Sequence, residues 1–122
     1  MPIARKNIQT PDEVRRIPSG NAIVSFVNVE SLVVMQGEMK PGWRWSNDLR
    51  PMVGTPSCEI EHTGVILDGT LHVELDDGTT QDLSSGDVYV IPSRHDAWVV
   101  GNEPVRLLDW SQAVTGYEKG KR

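Results

Sequence analysis

Three side chains in this sequence, Cys58, His62 and His95, are of the types that bind transition metals. A cysteine thiolate beside two imidazoles suits Zn²⁺ or Fe²⁺. Three protein ligands would leave one coordination position open, as catalysis at a metal ion requires. We therefore predict that Cys58, His62 and His95 hold a divalent ion, with Zn, Fe, Ni and Mn as the candidates.

The same residues have other readings, which stay open. Asp96 follows His95 directly, so it can orient the imidazole, and the two form a candidate catalytic pair with His95 as general base. His62 shares a strand face with Ile60 and Ile66, so it would equally suit a buried histidine bonded to a backbone carbonyl or to water. Cys58 would equally suit a small buried apolar residue, the commonest fate of a free cysteine.

An aromatic segment offers a candidate substrate pocket. Trp43 and Trp45 alternate with Arg44, and Trp98 follows His95 by three residues. Ligand sites are mostly apolar with a few polar groups, and arginine binds anions, so we predict that Trp43, Arg44, Trp45 and Trp98 line a pocket. The alternative is that the tryptophans belong to the core. The sequence contains no nucleophile elbow, phosphate-binding loop or dinucleotide fingerprint.

Short strands must position these residues. Runs rich in β-branched residues are separated by tight turns, at Asp68-Gly69, Asp77-Gly78, Ser85-Gly86-Asp87 and Pro92-Ser93. This spacing is typical of a small all-β sandwich or barrel. We predict eight or nine strands over residues 22–111, interrupted by a loop over 47–56. Upstream, Thr10-Pro11-Asp12-Glu13 predicts a short N-terminal helix that ends before Pro18.

Alternation predicts which side chains share a strand face. Along Ser57–Leu67, Cys58 and His62 point to the same side, and His72 in the next strand points outward. In a straight strand Cys58 and His62 would be roughly 13 Å apart, too far to hold one ion. A bulge or bend between them is therefore a condition of the metal site.

Composition limits the class of protein. The chain has 122 residues, enough for one domain, and we predict a single domain over residues 1–122. Its net charge is −5 and its basic residues are scattered, which argues against nucleic-acid binding. It lacks the roughly 20 apolar residues of a membrane span. One cysteine and no secretory signal lead us to expect a cytoplasmic protein.

The segment Gly86-Asp87-Val88-Tyr89-Val90-Ile91-Pro92 resembles the second motif of the cupin superfamily. Arg94 stands where that motif has glycine, and His95 comes earlier after the proline than is usual. Counting back from Gly69 for the first motif places His62 on its glutamate position, and places Pro56 and Cys58 on its paired histidines. The resemblance implies a double-stranded β-helix, or jelly-roll barrel, with a metal-ligand set that is not the usual one.

The resemblance is closest to a subgroup of small single-domain cupins. The segments that carry it are PGWRWS (41–46), HTG (62–64) and HDAWVVG (95–101). It implies a fold and a metal pocket but no assigned reaction. Two functions stay open: a metal-dependent protein that acts on or binds a small organic molecule, and a non-catalytic ligand-binding or sensing cupin without metal. We also expect a homodimer, formed by edge strands around Ala22–Val34.

Overall fold

The structure is a computed structural model that describes residues 2–111, so the predicted domain of residues 1–122 extends beyond the part described. Within this part the strands are β1 (Glu13–Arg16), β2 (Ala22–Val29), β3 (Leu32–Met39), β4 (His62–Asp68), β5 (Thr70–Leu75), β6 (Thr80–Ser84), β7 (Val88–Ile91), β8 (His95–Val99) and β9 (Val105–Asp109). Two one-turn helices, α1 (Trp45–Asp48) and α2 (Arg50–Val53), lie between β3 and β4. The prediction of an all-β fold is confirmed.

Two antiparallel sheets enclose the core. The larger sheet has the strand order β1-β2-β3-β9-β4-β7, and the smaller has the order β6-β5-β8. Alternate residues of the facing strands supply the buried side chains, among them Ile66 of β4, Val73 of β5 and Leu107 of β9.

No helix in residues 2–111 is long and apolar enough to cross a membrane.

The predicted N-terminal helix is wrong, because the chain there forms strand β1. Residues 13–16 pair with Phe26 to Ile23 of β2. Asp12 does not begin a helix: its carboxylate accepts the backbone N–H of Asn28 at 2.7 Å and pairs with Lys6. The four residues EVRR offer too few apolar side chains for a packed helix, whereas strand pairing satisfies their backbone. The described helices lie instead within residues 45–53, mostly in the predicted loop.

Part of the predicted dimer edge is already paired with other strands. Strand β2 is bonded to β1 and β3 on its two sides, and β3 is bonded to β2 and β9. Because β1 pairs only with Ile23–Phe26 and β9 only with Met35–Met39, these two strands cover the segment only in part. The homodimer itself stays a prediction.

The strand predicted over Ser57–Leu67 is divided by a bend, and this bend positions the site. Cys58 is bridged to β8 of the smaller sheet: its N–H bonds to the His95 carbonyl at 2.8 Å, and its own carbonyl accepts the His95 N–H at 3.1 Å. His62, four residues later, opens β4 and pairs with Ile91 in the larger sheet. The chain thus crosses from one sheet to the other between Cys58 and His62.

Gly64 marks a close approach in β4. A Cβ atom built on Gly64 would lie 2.0 Å from the Leu108 carbonyl oxygen and 2.6 Å from the Tyr89 hydroxyl. We expect Gly64→Ala to lower the free energy of unfolding by about 2–4 kcal/mol, because backbone and a buried ring must move. Urea unfolding followed by circular dichroism measures this loss.

Gly37→Ala is the matched control for Gly64→Ala. A Cβ at Gly37 would meet only flexible side-chain atoms of Leu107 and Met39, at 3.3 Å. Its effect should be well below that of Gly64→Ala. If both variants lose the same free energy of unfolding, the loss comes from replacing a glycine in a strand and not from crowding at Tyr89.

Candidate metal centre

Cys58, His62 and His95 converge between the two sheets. One donor atom from each residue lies within 4.8 Å of the others. Cys58 Sγ is 3.9 Å from His62 Nε2, and the two imidazole rings meet edge to face with centroids 5.4 Å apart. Cys58 and His95 are buried and His62 is partly buried. The predicted three residues are therefore brought together, and the bend before β4 removes the 13 Å separation expected for a straight strand.

Both imidazoles direct the same nitrogen into the cluster. His62 Nδ1 is 2.7 Å from the Asp109 carboxylate, and His95 Nδ1 is 2.7 Å from the Pro92 carbonyl oxygen. A carbonyl oxygen only accepts, so His95 carries its proton on Nδ1. The Nε2 atom of each ring is therefore the one that can bind a metal ion. Carboxylate and carbonyl partners on the far nitrogen are typical of metal-binding histidines.

The electrostatics of the cluster favour a thiolate. Burial opposes the charged form of Cys58, but its hydrogen bonding with His62 and its interaction with His95 outweigh this effect and lower the pKa from 9.0 to about 6. Burial likewise opposes charge on His62, yet the Asp109 carboxylate and the Cys58 sulfur raise its pKa from 6.5 to about 9. Near neutral pH, Cys58 is thus a thiolate beside a protonated His62.

Asp109 is a residue of the site that the sequence prediction missed. It is 1% exposed at the end of β9, where it accepts from His62 and from the Ser111 backbone N–H at 2.9 Å. Burial and the nearby Asp109 raise the pKa of Tyr89, which lies on β7. A sequence signal existed: Asp109 continues the inward series Val105, Leu107 along the strand VRLLD. An aspartate at such a position needs a buried partner.

Asp96 and the His95 ring bond to different partners, since His95 Nδ1 lies 2.7 Å from the Pro92 carbonyl oxygen. The catalytic pair stays a prediction. Strand alternation places His95 inward and the partly buried Asp96 on the opposite face. The Asp96 carboxylate bonds to the Arg44 side chain at 3.1 Å and to two backbone N–H groups, those of Ser46 and Ala97. It fixes the segment before α1 against β8.

The four predicted pocket residues are divided between the core and the outer face of the smaller sheet, and the pocket itself stays a prediction. Trp43 and Trp45 are 7% and 4% exposed and belong to the core. Arg44 lies over the Trp98 ring, 4.1 Å from its centroid, and His72 packs against the same ring at 4.4 Å. Because Trp98 alternates with the inward His95 and Ala97, this stack lies on the outer face of the smaller sheet.

The thiolate of Cys58 can be observed directly, because the chain has a single cysteine. In metal-free protein, we expect thiolate ultraviolet absorbance to appear as the pH rises through about 6, far below the ordinary 9.0. The pKa is lowered because the neighbouring histidines stabilise the thiolate form of Cys58. A Cys58→Ser variant supplies the blank, and a midpoint near 9.0 would contradict the described pairing with His62.

Residues 59–111 match the family model described as "Cupin domain". Over these residues the chain is similar to cupin domains. The match begins one residue after Cys58 and includes His62, His95 and Asp109. It supports the cupin superfamily and the jelly-roll barrel that the sequence motifs implied. The narrower subgroup remains a resemblance. No curated protein matches the sequence.

Solved structures share the cupin fold. A protein of unknown function from Acidithiobacillus ferrooxidans is 21% identical, with TM-score 0.62, over 83% of this chain and 88% of that one. The cupin domain of Cnp3 from Schizosaccharomyces pombe is 17% identical, with TM-score 0.53, over 88% and 74%. A structure of Fe(II) HppE is 14% identical, with TM-score 0.56, over 85% and 58%. At these identities the likeness shows the fold alone.

Proposed function

We propose that this cupin domain binds one divalent metal ion through Cys58 Sγ, His62 Nε2 and His95 Nε2, and that the ion serves to bind or transform a small organic molecule. The observation that carries the proposal is the arrangement of the two rings. Each donates through Nδ1 to a fixed oxygen and leaves Nε2 within 4.8 Å of the other donor atoms. The donor set, one thiolate and two imidazoles, fits Zn²⁺ or Fe²⁺.

The protein's own residues prepare this site. Asp109 and the Pro92 carbonyl hold the two rings in place, and Cys58 is already deprotonated at neutral pH. His62 must lose its proton to become a ligand, so metal binding should release protons. A bound divalent ion with an open position would polarise a carbonyl or activate water. A solved relative in fold, HppE, is described with Fe(II), which supports a metal in this fold but not the identity of the ion here.

Elemental analysis of the purified protein tests the proposal, followed by calorimetric titration with Zn²⁺, Fe²⁺, Ni²⁺ and Mn²⁺. We expect about one ion per chain and release of protons on binding at neutral pH. A protein that is purified without metal and binds none of the four ions would contradict the proposal. The non-catalytic ligand-binding alternative would then stand.

A second candidate function is nucleophilic thiol chemistry without metal. Asp109, His62 and Cys58 form a line in which a carboxylate orients an imidazole that contacts a thiolate, with distances of 2.7 and 3.9 Å. This is the arrangement that activates cysteine nucleophiles. Two assays distinguish these functions. If Cys58 is a metal ligand, bound metal should protect it from alkylation by iodoacetamide. If Cys58 is a nucleophile, the metal-free protein should turn over a thioester probe.

A further inference from the structure

A groove opens between the last strands of the two sheets. Strand β7 ends the larger sheet and β6 ends the smaller one, and a cavity of about 100 Å³ lies between them. Its wall is formed by apolar side chains on three strands and the following turn, Val73, Leu75, Leu83, Val90, Ile91 and Pro92. Thr79, Thr80 and Gln81 complete the lining, which carries no charged residue.

The groove shares its inner wall with the metal-binding cluster. Ile91 is the cross-strand partner of His62, and Leu75 is the cross-strand partner of His95. Directly opposed residues of antiparallel strands lie on one face with Cβ atoms roughly 5 Å apart. Ile91 and Leu75 therefore touch the groove and flank the two histidines. These two side chains therefore separate the groove from the cluster, and a molecule with one end in the groove would have to pass them to meet the cluster.

The uncharged lining selects the chemistry of the occupant. A charged group in the groove would lose its hydration without gaining a partner, whereas an apolar group would replace water against the valine, leucine and isoleucine side chains. The volume suits a group of about four carbon atoms. By contrast, Arg44 and Trp98 lie on the outer face of the smaller sheet, so an anion bound to Arg44 would not reach the cluster.

We infer that the ligand of this site is a small molecule with an uncharged, apolar group, which occupies the β6–β7 groove while a polar end meets the metal-binding cluster. This inference rests on the proposed function for the polar end. The preference of the groove for an apolar group is argued from its lining residues alone.

Two hydroxamates with one metal-binding head test the inference on zinc-loaded protein. Pentanohydroxamate carries an alkyl tail sized for the groove, and acetohydroxamate lacks it. We expect calorimetry to give pentanohydroxamate an affinity about tenfold higher or more. The monohydroxamate of succinate, with a carboxylate at the end of its tail, should show no such gain. Equal affinities of pentanohydroxamate and acetohydroxamate, with zinc bound, would overturn the groove inference and leave the metal site standing.

Two exposed valines of β7 provide a matched pair of variants. Val90, 67% exposed, lines the groove, whereas Val88, 75% exposed, does not. Val90→Trp should fill the groove and abolish the advantage of the alkyl tail without changing zinc or acetohydroxamate binding. Val88→Trp should preserve the advantage. Loss of the advantage in both variants, or in neither, would contradict the assigned site.

A measurement without metal separates this inference from the proposed function. If zinc does not bind, the proposed function fails, but n-pentanol titrated into metal-free protein still tests the groove by amide chemical shifts. We expect the largest shifts at Val73, Leu83 and Ile91, and their loss in Val90→Trp. Shifts confined to other residues would overturn the inference on their own.

Discussion

Replacing His62 with glutamine should remove metal binding from the purified protein. His62 supplies one of three donor atoms, so its loss leaves a thiolate and one imidazole. Changes to groups that merely orient a ligand typically cost 10–100-fold in metal affinity, and we expect the loss of the ligand itself to exceed about 100-fold. Calorimetric titration with Zn²⁺ and elemental analysis both measure the effect. Glutamine preserves a polar group beside Asp109, which favours a folded variant.

His72→Gln is the control for His62→Gln. His72 is also bonded to an aspartate, with its Nδ1 2.5 Å from Asp82, but it lies outside the cluster. This variant should bind metal like the wild type. Full zinc binding by a folded His62→Gln, judged by circular dichroism, would show that His62 is not a ligand.

The sequence predicts the fold well because the relevant signals are local. Eight strands, β2 to β9, lie within the predicted range of residues 22–111, and the glycine turns at Asp68-Gly69 and Asp77-Gly78 lie where strands end. The N-terminal segment fails for the opposite reason. Neighbouring residues at Thr10–Glu13 indicate a helix start, but pairing with β2, which places Glu13 opposite Phe26, determines the conformation.

The site could be predicted only in its residue types. Cysteine and histidine are recognisable in the sequence as residues that can bind metal, and strand alternation places Cys58 and His62 on one face. Their distance depends on the crossing between sheets, which no local signal specifies. The choice of carboxylate shows the same limit: Asp96 adjoins His95 in sequence, yet strand alternation turns it away, whereas Asp109 reaches His62 across 47 residues. The groove depends likewise on two strand edges that meet only in the folded chain.

Replacing Asp109 with asparagine should lower the affinity of the site for zinc while preserving its shape. Asparagine retains an oxygen that can accept from His62 Nδ1 but removes the charge that favours the imidazolium. We expect zinc affinity to fall about 10–100-fold. In metal-free protein the pKa of Cys58 should rise above 6, because the cation that stabilises its thiolate is lost. Calorimetry and the thiolate absorbance titration measure these two effects.

The exposed pair His72–Asp82 makes Asp82→Asn the matched control for Asp109→Asn. It also removes a carboxylate from a histidine, but the Asp82 side chain is 57% exposed and that of Asp109 is 2% exposed. Asp82→Asn should leave both zinc affinity and the Cys58 titration unchanged. A lower melting temperature alone in Asp109→Asn, with both readouts unchanged, would limit Asp109 to a structural role. A shift of both readouts would establish that the buried carboxylate acts on Cys58 through His62, since Asp109 bonds to His62 Nδ1 and Cys58 contacts His62 Nε2.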